Sequence, residues 1–422
     1  MKDLSITVCG VKFPNPFLLS SSVVSNTAEM VARAFDAGFG GVSFKGIGGP
    51  SVEIINPAPR MHSYNLGSKK LVGLQNVEQT TDRPLEDNIQ DVKWLKKHYP
   101  NNPVMVNIMG FNKEEWKYLA QVFEDAGADM LELNFSCPHM SVEGSGMKVG
   151  QAFKLVGDFT DVVKRNVKIP VFAKLTSNVT DITEPAMYAK EAGADGITAV
   201  NTVRAITNID INNFVPCPNI FGKGALSGYS GPGIKPIALK CIVELAKKEE
   251  LGLPLAGCGG IETWVDVVEF LLGGASLVQM TTSIVKYGHR LAEDLVEGLS
   301  FYMEDKGFNK VEDIVGKALP NFYETKDFDL SRQGAAQFDL DRCIGCGVCY
   351  IACQDAGGQC IEWDSKKRRP IPDEEKCYSC MICSFVCPID NPPLITFKEI
   401  KGKKIYTPPP SKLWDKYIEI MK

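Results

Sequence analysis

Nine of the 14 cysteines in this 422-residue chain fall in the 45 residues from Cys343 to Cys387, and the first 342 residues hold only five. The nine are not scattered. DLDRCIGCGVCYIAC places Cys343, Cys346, Cys349 and Cys353 at the spacing C-x2-C-x2-C-x3-C, and KCYSCMICSFVCP repeats it with Cys377, Cys380, Cys383 and Cys387, followed by Pro388. This is the spacing of bacterial two-cluster [4Fe–4S] proteins, in which the fourth cysteine of each run ligates the other cluster. It assigns Cys343, Cys346, Cys349 and Cys387 to one cluster and Cys377, Cys380, Cys383 and Cys353 to the second. The gaps are short because one tight loop must offer three thiolates to one face of a cubane. Zinc is the alternative for clustered cysteines. Zinc sites usually pair two C-x2-C elements, however, and have no use for a third cysteine at this spacing. Gln354 replaces the proline that usually follows the fourth cysteine, which removes no ligand, and Cys360 is extra and not expected to ligate.

Composition sets the rest of the chain apart from this module. A secreted disulfide scaffold would be short and would spread its cysteines over the fold. Here 44% of residues are hydrophobic and 23% charged, the balance of an ordinary globular body. A net charge of −5 gives no electrostatic reason to expect nucleic acid or an anionic membrane as partner. The opening MKDLSITVCG has no apolar core of signal-peptide length, and no apolar run approaches the roughly 18 residues of a membrane span. The expectation is a soluble cytoplasmic protein, where thiols stay reduced and clustered cysteines hold metal.

Through the first 300 residues, short apolar runs alternate with helical periodicity. The runs are Phe17–Ser20, Gly41–Lys45, Val104–Met109, Met130–Phe135, Val171–Leu175, Ile197–Asn201, Leu253–Gly257 and Leu277–Thr281. Near-continuous apolar runs of this length suit parallel strands covered on both faces. Between them, segments such as Glu114–Phe123 place Trp116, Leu119, Ala120 and Phe123 at helical spacing. The phrases AGFGGVSF, AGADMLEL, AGADGITA and GGASLVQM recur, each ending a helix on glycine and starting a strand. Eight such units predict an α/β fold, a (β/α)8 TIM barrel, followed by a small two-[4Fe–4S] ferredoxin-like domain. A doubly wound open sheet is the alternative, but no G-x-G-x-x-G follows any of these strands. The expected boundaries are 1–301 for the barrel, 302–333 for a connector, 334–398 for the cluster domain and 399–422 for a tail.

In a barrel of this kind, function sits at the C-terminal ends of the strands. Those ends carry Ser20–Ser22, Lys45–Gly46, Asn107, Asn134 with Ser136 and Cys137, Lys174 with Thr176, Asn201–Thr202, Gly259–Gly260 and Thr281–Thr282. Two lysines and several amides at one rim suit an electron-rich anionic ring, and glycine and hydroxyl ends suit a phosphate. Flavin mononucleotide, FMN, fits both halves. Cys137 follows LELNFS at the rim and precedes Pro138, and HMSVEGSGMKVG after it reads as a mobile loop able to cover a site. A thiol there is suited to proton transfer. Cys9, Cys217, Cys241 and Cys258 show no such context, and Cys241 sits in a helical pattern. Two clusters imply one-electron traffic ending at a group that performs two-electron chemistry, which the flavin supplies. With no dinucleotide fingerprint, a separate flavoprotein that oxidises NAD(P)H is the inferred electron donor.

Over roughly residues 4–395 the chain resembles the dihydropyrimidine dehydrogenase family, specifically its bacterial PreA-type catalytic subunit. The resemblance is carried by KFPNPF (12–17), NVEQ (76–79), LELNFSCPHM (131–140), FAKLTSNVTDI (172–182), AVNTVRAITNIDIN (199–212), SGYSG (227–231), GGIETW (259–264) and the two cysteine runs. It implies reduction of the 5,6 double bond of uracil or thymine, with Cys137 as the acid at C5 and FMN delivering hydride to C6. It implies pyrimidine contacts from Asn76, Asn134, Ser136, Asn201 and Thr202, with Glu78 near them. Ser21, Lys45, Gly46 and Lys174 are implied at the isoalloxazine, and Gly231, Cys258, Gly259, Gly260, Thr281 and Thr282 at the ribityl chain and phosphate. It further implies an NAD(P)H-oxidising FAD flavoprotein subunit (PreT-type) as partner, in a hetero-oligomer with a homodimeric core. A dihydroorotate dehydrogenase-like enzyme, or an electron-transfer protein without its own substrate, are the alternatives.

Overall fold

The computed structural model describes residues 2–404 except 139 and 143, and nothing of the Lys70 side chain. Of the expected tail, residues 405–422 lie outside the described residues. Eight strands close into one parallel barrel: β1 (Phe17–Leu19), β2 (Gly41–Gly48), β3 (Val104–Met109), β4 (Met130–Asn134), β5 (Val171–Leu175), β6 (Gly196–Ala199), β7 (Leu255–Cys258) and β8 (Ala275–Met280). Each pairs with its neighbours in sequence, and β8 closes onto β1 with Val278, Gln279 and Met280 opposite Phe17, Leu18 and Leu19. Closure excludes the open sheet. Nearly every strand residue is buried, as unbroken apolar runs require when side chains fill the barrel on one face and meet helices on the other.

The surrounding helices are α1 (Ala28–Asp36), α2 (Leu85–His98), α3 (Lys113–Asp125), α4 (Phe153–Lys164), α5 (Thr183–Glu191), α6 (Lys235–Lys247), α7 (Trp264–Leu272) and α8 (Leu291–Lys306). Thr27, Asn112 and Thr263 cap three of them by accepting hydrogen bonds from the N–H of Met30, Glu115 and Asp266. The recurring helix-to-strand phrase has one backbone cause. Gly38, Gly127, Gly193 and Gly274 all sit at positive φ, between +91° and +111°, where the chain turns from a helix end back into the barrel.

Two insertions rise from the C-terminal ends of β2 and β6. Strands Met61–Leu66 and Lys69–Asn76 from the first join Val203–Ala205 and Ser227–Ser230 from the second in a four-stranded antiparallel sheet. Its strands are short and mostly polar, so they carry no apolar run that periodicity would find.

The chain divides into two compact units after Phe322. Helix α8 runs through residue 301, its buried residues Leu295, Leu299 and Met303 lying on both sides of it. Val311 and Ile314 beyond it are fully buried in the barrel core. The unit that begins at Tyr323 has its own small core. Strand Gly334–Phe338 pairs with Ile395–Glu399, Ile361–Asp364 pairs with Arg369–Pro372, and helices Val348–Ala356 and Ile382–Phe385 follow the two cysteine loops.

Packing in the barrel is tight enough to dictate single residues. A Cβ on Gly196, the first residue of β6, would lie 2.2 Å from the Phe172 ring of β5. Gly196→Ala is therefore expected to destabilise the barrel by about 1–3 kcal/mol in chemical denaturation, the usual cost of overpacking. Adding Phe172→Leu should recover part of that loss.

Candidate active site

At the centre of the barrel lies a charge. Glu132, in the middle of β4, is fully buried. Its Oε2 accepts hydrogen bonds from Ser43 Oγ of β2 (2.7 Å), Asn107 Nδ2 of β3 (2.7 Å) and Lys174 Nζ of β5 (3.1 Å). Its Oε1 accepts from Thr198 Oγ1 of β6 (2.8 Å) and Gln279 Nε2 of β8 (2.7 Å). Burial alone would push this carboxyl up. The Lys174 charge and the bonds from Gln279, Ser43 and Asn107 outweigh it and hold the group below its ordinary range. Lys174 is aimed in turn by Gln279 Oε1 at 3.0 Å and Ser20 Oγ at 3.4 Å.

From this anchor a line of oriented amides runs to the rim. Asn107 spends its NH2 on Glu132, so its Oδ1 is left to accept from Asn134 Nδ2 at 3.1 Å. Asn134 Oδ1 then accepts from Ser136 N and Oγ, and Ser136 Oγ accepts from Asn201 Nδ2 at 3.0 Å. Asn201 Oδ1 takes the Thr202 N–H at 2.7 Å. Each link fixes which end of the next amide is donor and which acceptor.

Above this network opens a cleft of about 1060 Å³, part of it open to solvent. Ser21, Lys45, Gly46, Asn76, Glu78, Asn134, Cys137, Lys174, Asn201 and Thr202 line it, as do Gly231, Cys258, Gly259, Gly260, Thr281 and Thr282. Of the strand-end residues expected there, Asn107, Ser136 and Thr176 stand back from the wall, Ser136 fully buried behind Asn134 and Asn201. Lys45 and Gly46 sit where the pairing of β2 with β3 slips between Phe44 and Ile47. Lys45 Nζ lies 3.1 Å from Glu78 Oε1, which also meets Arg60 at 3.5 Å. Asn76 ends the inserted strand Lys69–Asn76 and donates to Gly228 O at 3.3 Å. The loop after Cys137 is tied back over this end. Cys137 O accepts from Met147 N, and Ser141 donates through N and Oγ to Gln79 Oε1 at 2.7 and 2.6 Å.

The far end of the cleft is built from glycine and hydroxyls. Gly231, Gly259 and Gly260 have φ of +104°, +133° and +77°. A Cβ on Gly260 would meet Lys235 at 2.6 Å, so side chains are kept off this wall. Thr281 Oγ1 donates to Ser22 Oγ at 2.8 Å, and Ser230 and Thr282 hydroxyls lie 2.9 Å apart. Ser283 Oγ lines the same end, buried and without a hydrogen-bond partner among the described residues. An orphaned hydroxyl beside the start of helix Thr282–Tyr287 fits an anion.

Two further cavities lie within the second unit. Cys343, Cys346, Cys349 and Cys387 line one, of about 350 Å³; Cys353, Cys377, Cys380 and Cys383, joined by Cys360, line the other, of about 370 Å³. The fold thus gathers each set of three with the fourth cysteine of the opposite run. Among the described residues no three such side chains converge on a single metal ion, and a four-iron cubane taking one thiolate per iron needs no such convergence.

The family model for dihydroorotate dehydrogenase matches residues 3–303, and that for the 4Fe-4S dicluster domain matches 336–393. The chain belongs to the dihydroorotate dehydrogenase family. It is 46% identical over 405 residues to the NAD-dependent dihydropyrimidine dehydrogenase subunit PreA of Escherichia coli (strain K12), covering 96% of this chain and 97% of that protein. The catalytic subunit of dihydroorotate dehydrogenase B (NAD(+)) from Pyrococcus abyssi is 41% identical, but it covers 75% of this chain while 99% of its own length is used. Within the family, then, the two-part layout is the one shared with the dihydropyrimidine dehydrogenase subunit. A solved dihydroorotate dehydrogenase from Eimeria tenella, in complex with ferulenol, has a TM-score of 0.63 at 20% identity over 74% of this chain and 88% of that one, which shows the barrel fold. The protein is a flavin and iron–sulfur oxidoreductase.

Glu132, Ser43 and Gln279 were not among the expected site residues. The signal is present in LEL, VSF and LVQM, where a polar residue interrupts an apolar strand. Glu132→Gln leaves Lys174 buried without its counter-charge, and is expected to cost about 3–5 kcal/mol in urea denaturation. A carboxylate whose folded pKa is depressed stabilises above its unfolded value and loses that contribution as pH falls through the folded one. The difference between wild type and variant should therefore shrink as pH drops below about 4.

Proposed function

We propose that this chain is the catalytic subunit of a dihydropyrimidine dehydrogenase, adding a hydride at C6 and a proton at C5 of uracil or thymine to give the 5,6-dihydro product. The observation that carries the reading is how charge is distributed in the cleft. Among the described residues that line it, the cations are Lys45 and Lys174, and each is tied to a buried carboxylate, Glu78 and Glu132. Orotate would bring a carboxylate that needs a cation of its own. Uracil brings none; it offers alternating carbonyls and N–H groups, which suit Asn76, Asn134, Asn201 and Thr202.

The cleft fits FMN, with Ser21, Lys45, Gly46 and Lys174 at the ring and Gly231, Cys258, Gly259, Gly260, Thr281 and Thr282 toward the ribityl chain and phosphate. FMN bound there supplies the hydride and links one-electron donors to a two-electron reaction. Cys137 holds the proton at Sγ and gives it to pyrimidine C5. Asn134 and Asn201, fixed through Ser136, orient the pyrimidine against that thiol, and Glu78 holds Lys45 in place beside them. The loop tied to Gln79 limits water at the transfer.

Cys343, Cys346, Cys349 and Cys387 would hold one [4Fe–4S] cluster, and Cys353, Cys377, Cys380 and Cys383 the other. Electrons would come from an NAD(P)H-oxidising FAD flavoprotein partner, in a hetero-oligomer that can be built on a homodimeric core. No helix among the described residues is long and apolar enough to cross a membrane, and a reducing cytoplasm suits clusters held by thiolates.

Cys137→Ala is expected to keep flavin absorbance and iron content while turnover falls about 10²–10⁴-fold, the usual worth of a general acid. Full activity in that variant would remove the acid assignment. In an anaerobic panel that follows reoxidation of the reduced flavin, uracil and thymine should reoxidise it and orotate should not. The reverse preference would make the protein a dihydroorotate-type enzyme.

A further inference from the structure

Five cysteines, not four, line the cavity assigned to the second cluster. Cys360 belongs to neither run, and the ligand assignment leaves it without a task. Yet its side chain is buried, its Sγ lies 3.7 Å from Cys353 Sγ, within reach of an S–H···S hydrogen bond, and it also hydrogen-bonds to Cys377. A cysteine that ligates iron is a thiolate with no proton to give, so among these sulfurs only Cys360 can donate. Its position is held by the backbone. Cys360 O accepts from Asp373 N at 2.7 Å, and the strand Ile361–Asp364 that follows is paired to Arg369–Pro372. Gln354, the residue after Cys353, donates from Nε2 to Ile361 O at 2.8 Å. The helix carrying Cys353 and the strand entered through Cys360 are thus laced together beside the two sulfurs.

We propose that Cys360 is a positioning residue for the cluster held by Cys353, Cys377, Cys380 and Cys383, its protonated thiol donating to a ligating sulfur beside it, Cys353 Sγ or Cys377 Sγ, and raising the reduction potential of that cluster. The proposal rests on the reading that these four cysteines hold a [4Fe–4S] cluster. Reduction adds one electron, and hence negative charge, to the cluster and its sulfurs. A hydrogen bond to a ligating sulfur stabilises that reduced form more than the oxidised one, one of the ways proteins set cluster potentials. A buried thiol serving only as a small apolar filler would have no such directional effect.

The test is an anaerobic redox titration of the full holoprotein, followed by electron paramagnetic resonance, in which the other cluster is the internal reference. Cys360→Ala should move one midpoint to lower potential and leave the other in place. Cys360→Ser, which keeps a donor of similar size, should stay near wild type. Should Cys360→Ala not assemble its clusters, Cys360→Val fills the volume without a donor and takes its place. Unchanged midpoints in the donor-less variant would overturn the proposal, as would equal shifts at both clusters or a serine variant that shifts as far as alanine. Iron content below two clusters in wild type would overturn the ligand assignment, and the proposal with it.

Discussion

Everything at the barrel's functional rim hangs from one buried carboxylate. Glu132 sits where eight apolar strands converge, and removing it from water is acceptable only because five donors from five other strands meet it. That requirement fixes more than the charge. Asn107 and Gln279 must present their NH2 groups inward, so their carbonyl oxygens face Asn134 and Lys174. The polarity of the rim is set from the core outward, and amides at the cleft are held in one orientation before any ligand arrives. Glu132 and Gln279 together keep Lys174 aimed.

Around this anchor the fold separates tasks by distance along the barrel axis. The core layer carries paired charge, the next layer carries amides, and the inserted antiparallel sheet and the loop after Cys137 supply the outer wall. The far end is built from glycine and hydroxyls, with Ser283 unpartnered among the described residues. In the second unit the division is different: two short loops and two short helices do little except place sulfur, and their small core is made largely of the cysteines themselves. Such a unit is expected to depend on its clusters for stability.

Much of the fold was legible because two signals were local. Positive-φ glycines at Gly38, Gly127, Gly193 and Gly274 mark the same turn four times, and apolar runs mark the strands. The inserted sheet was not legible, since its strands are mostly polar and its two hairpins join only across about 150 residues, as between Asn76 and Gly228. The packing of residues beyond 301 was not legible, since α8 continues to Lys306 and the following turns bury Val311 and Ile314 without periodicity. Of the site, the rim was legible from strand ends, whereas Glu132 was passed over because it lies in the middle of a strand. Glu78 was expected near the substrate, and its pairing with Lys45 arises only from the fold.

By itself the sequence determined the order of the eight βα units, the residues at the strand ends and the two sets of cysteines, because each depends on spacing within a few residues along the chain. Tertiary structure alone decided which polar groups meet: Glu132 with Lys174, Lys45 with Glu78, Asn134 with Asn201 through Ser136. Those meetings depend on barrel closure and on the insertions above it, distances that no local pattern encodes. What a side chain can do in this protein follows from the partner it is closed against.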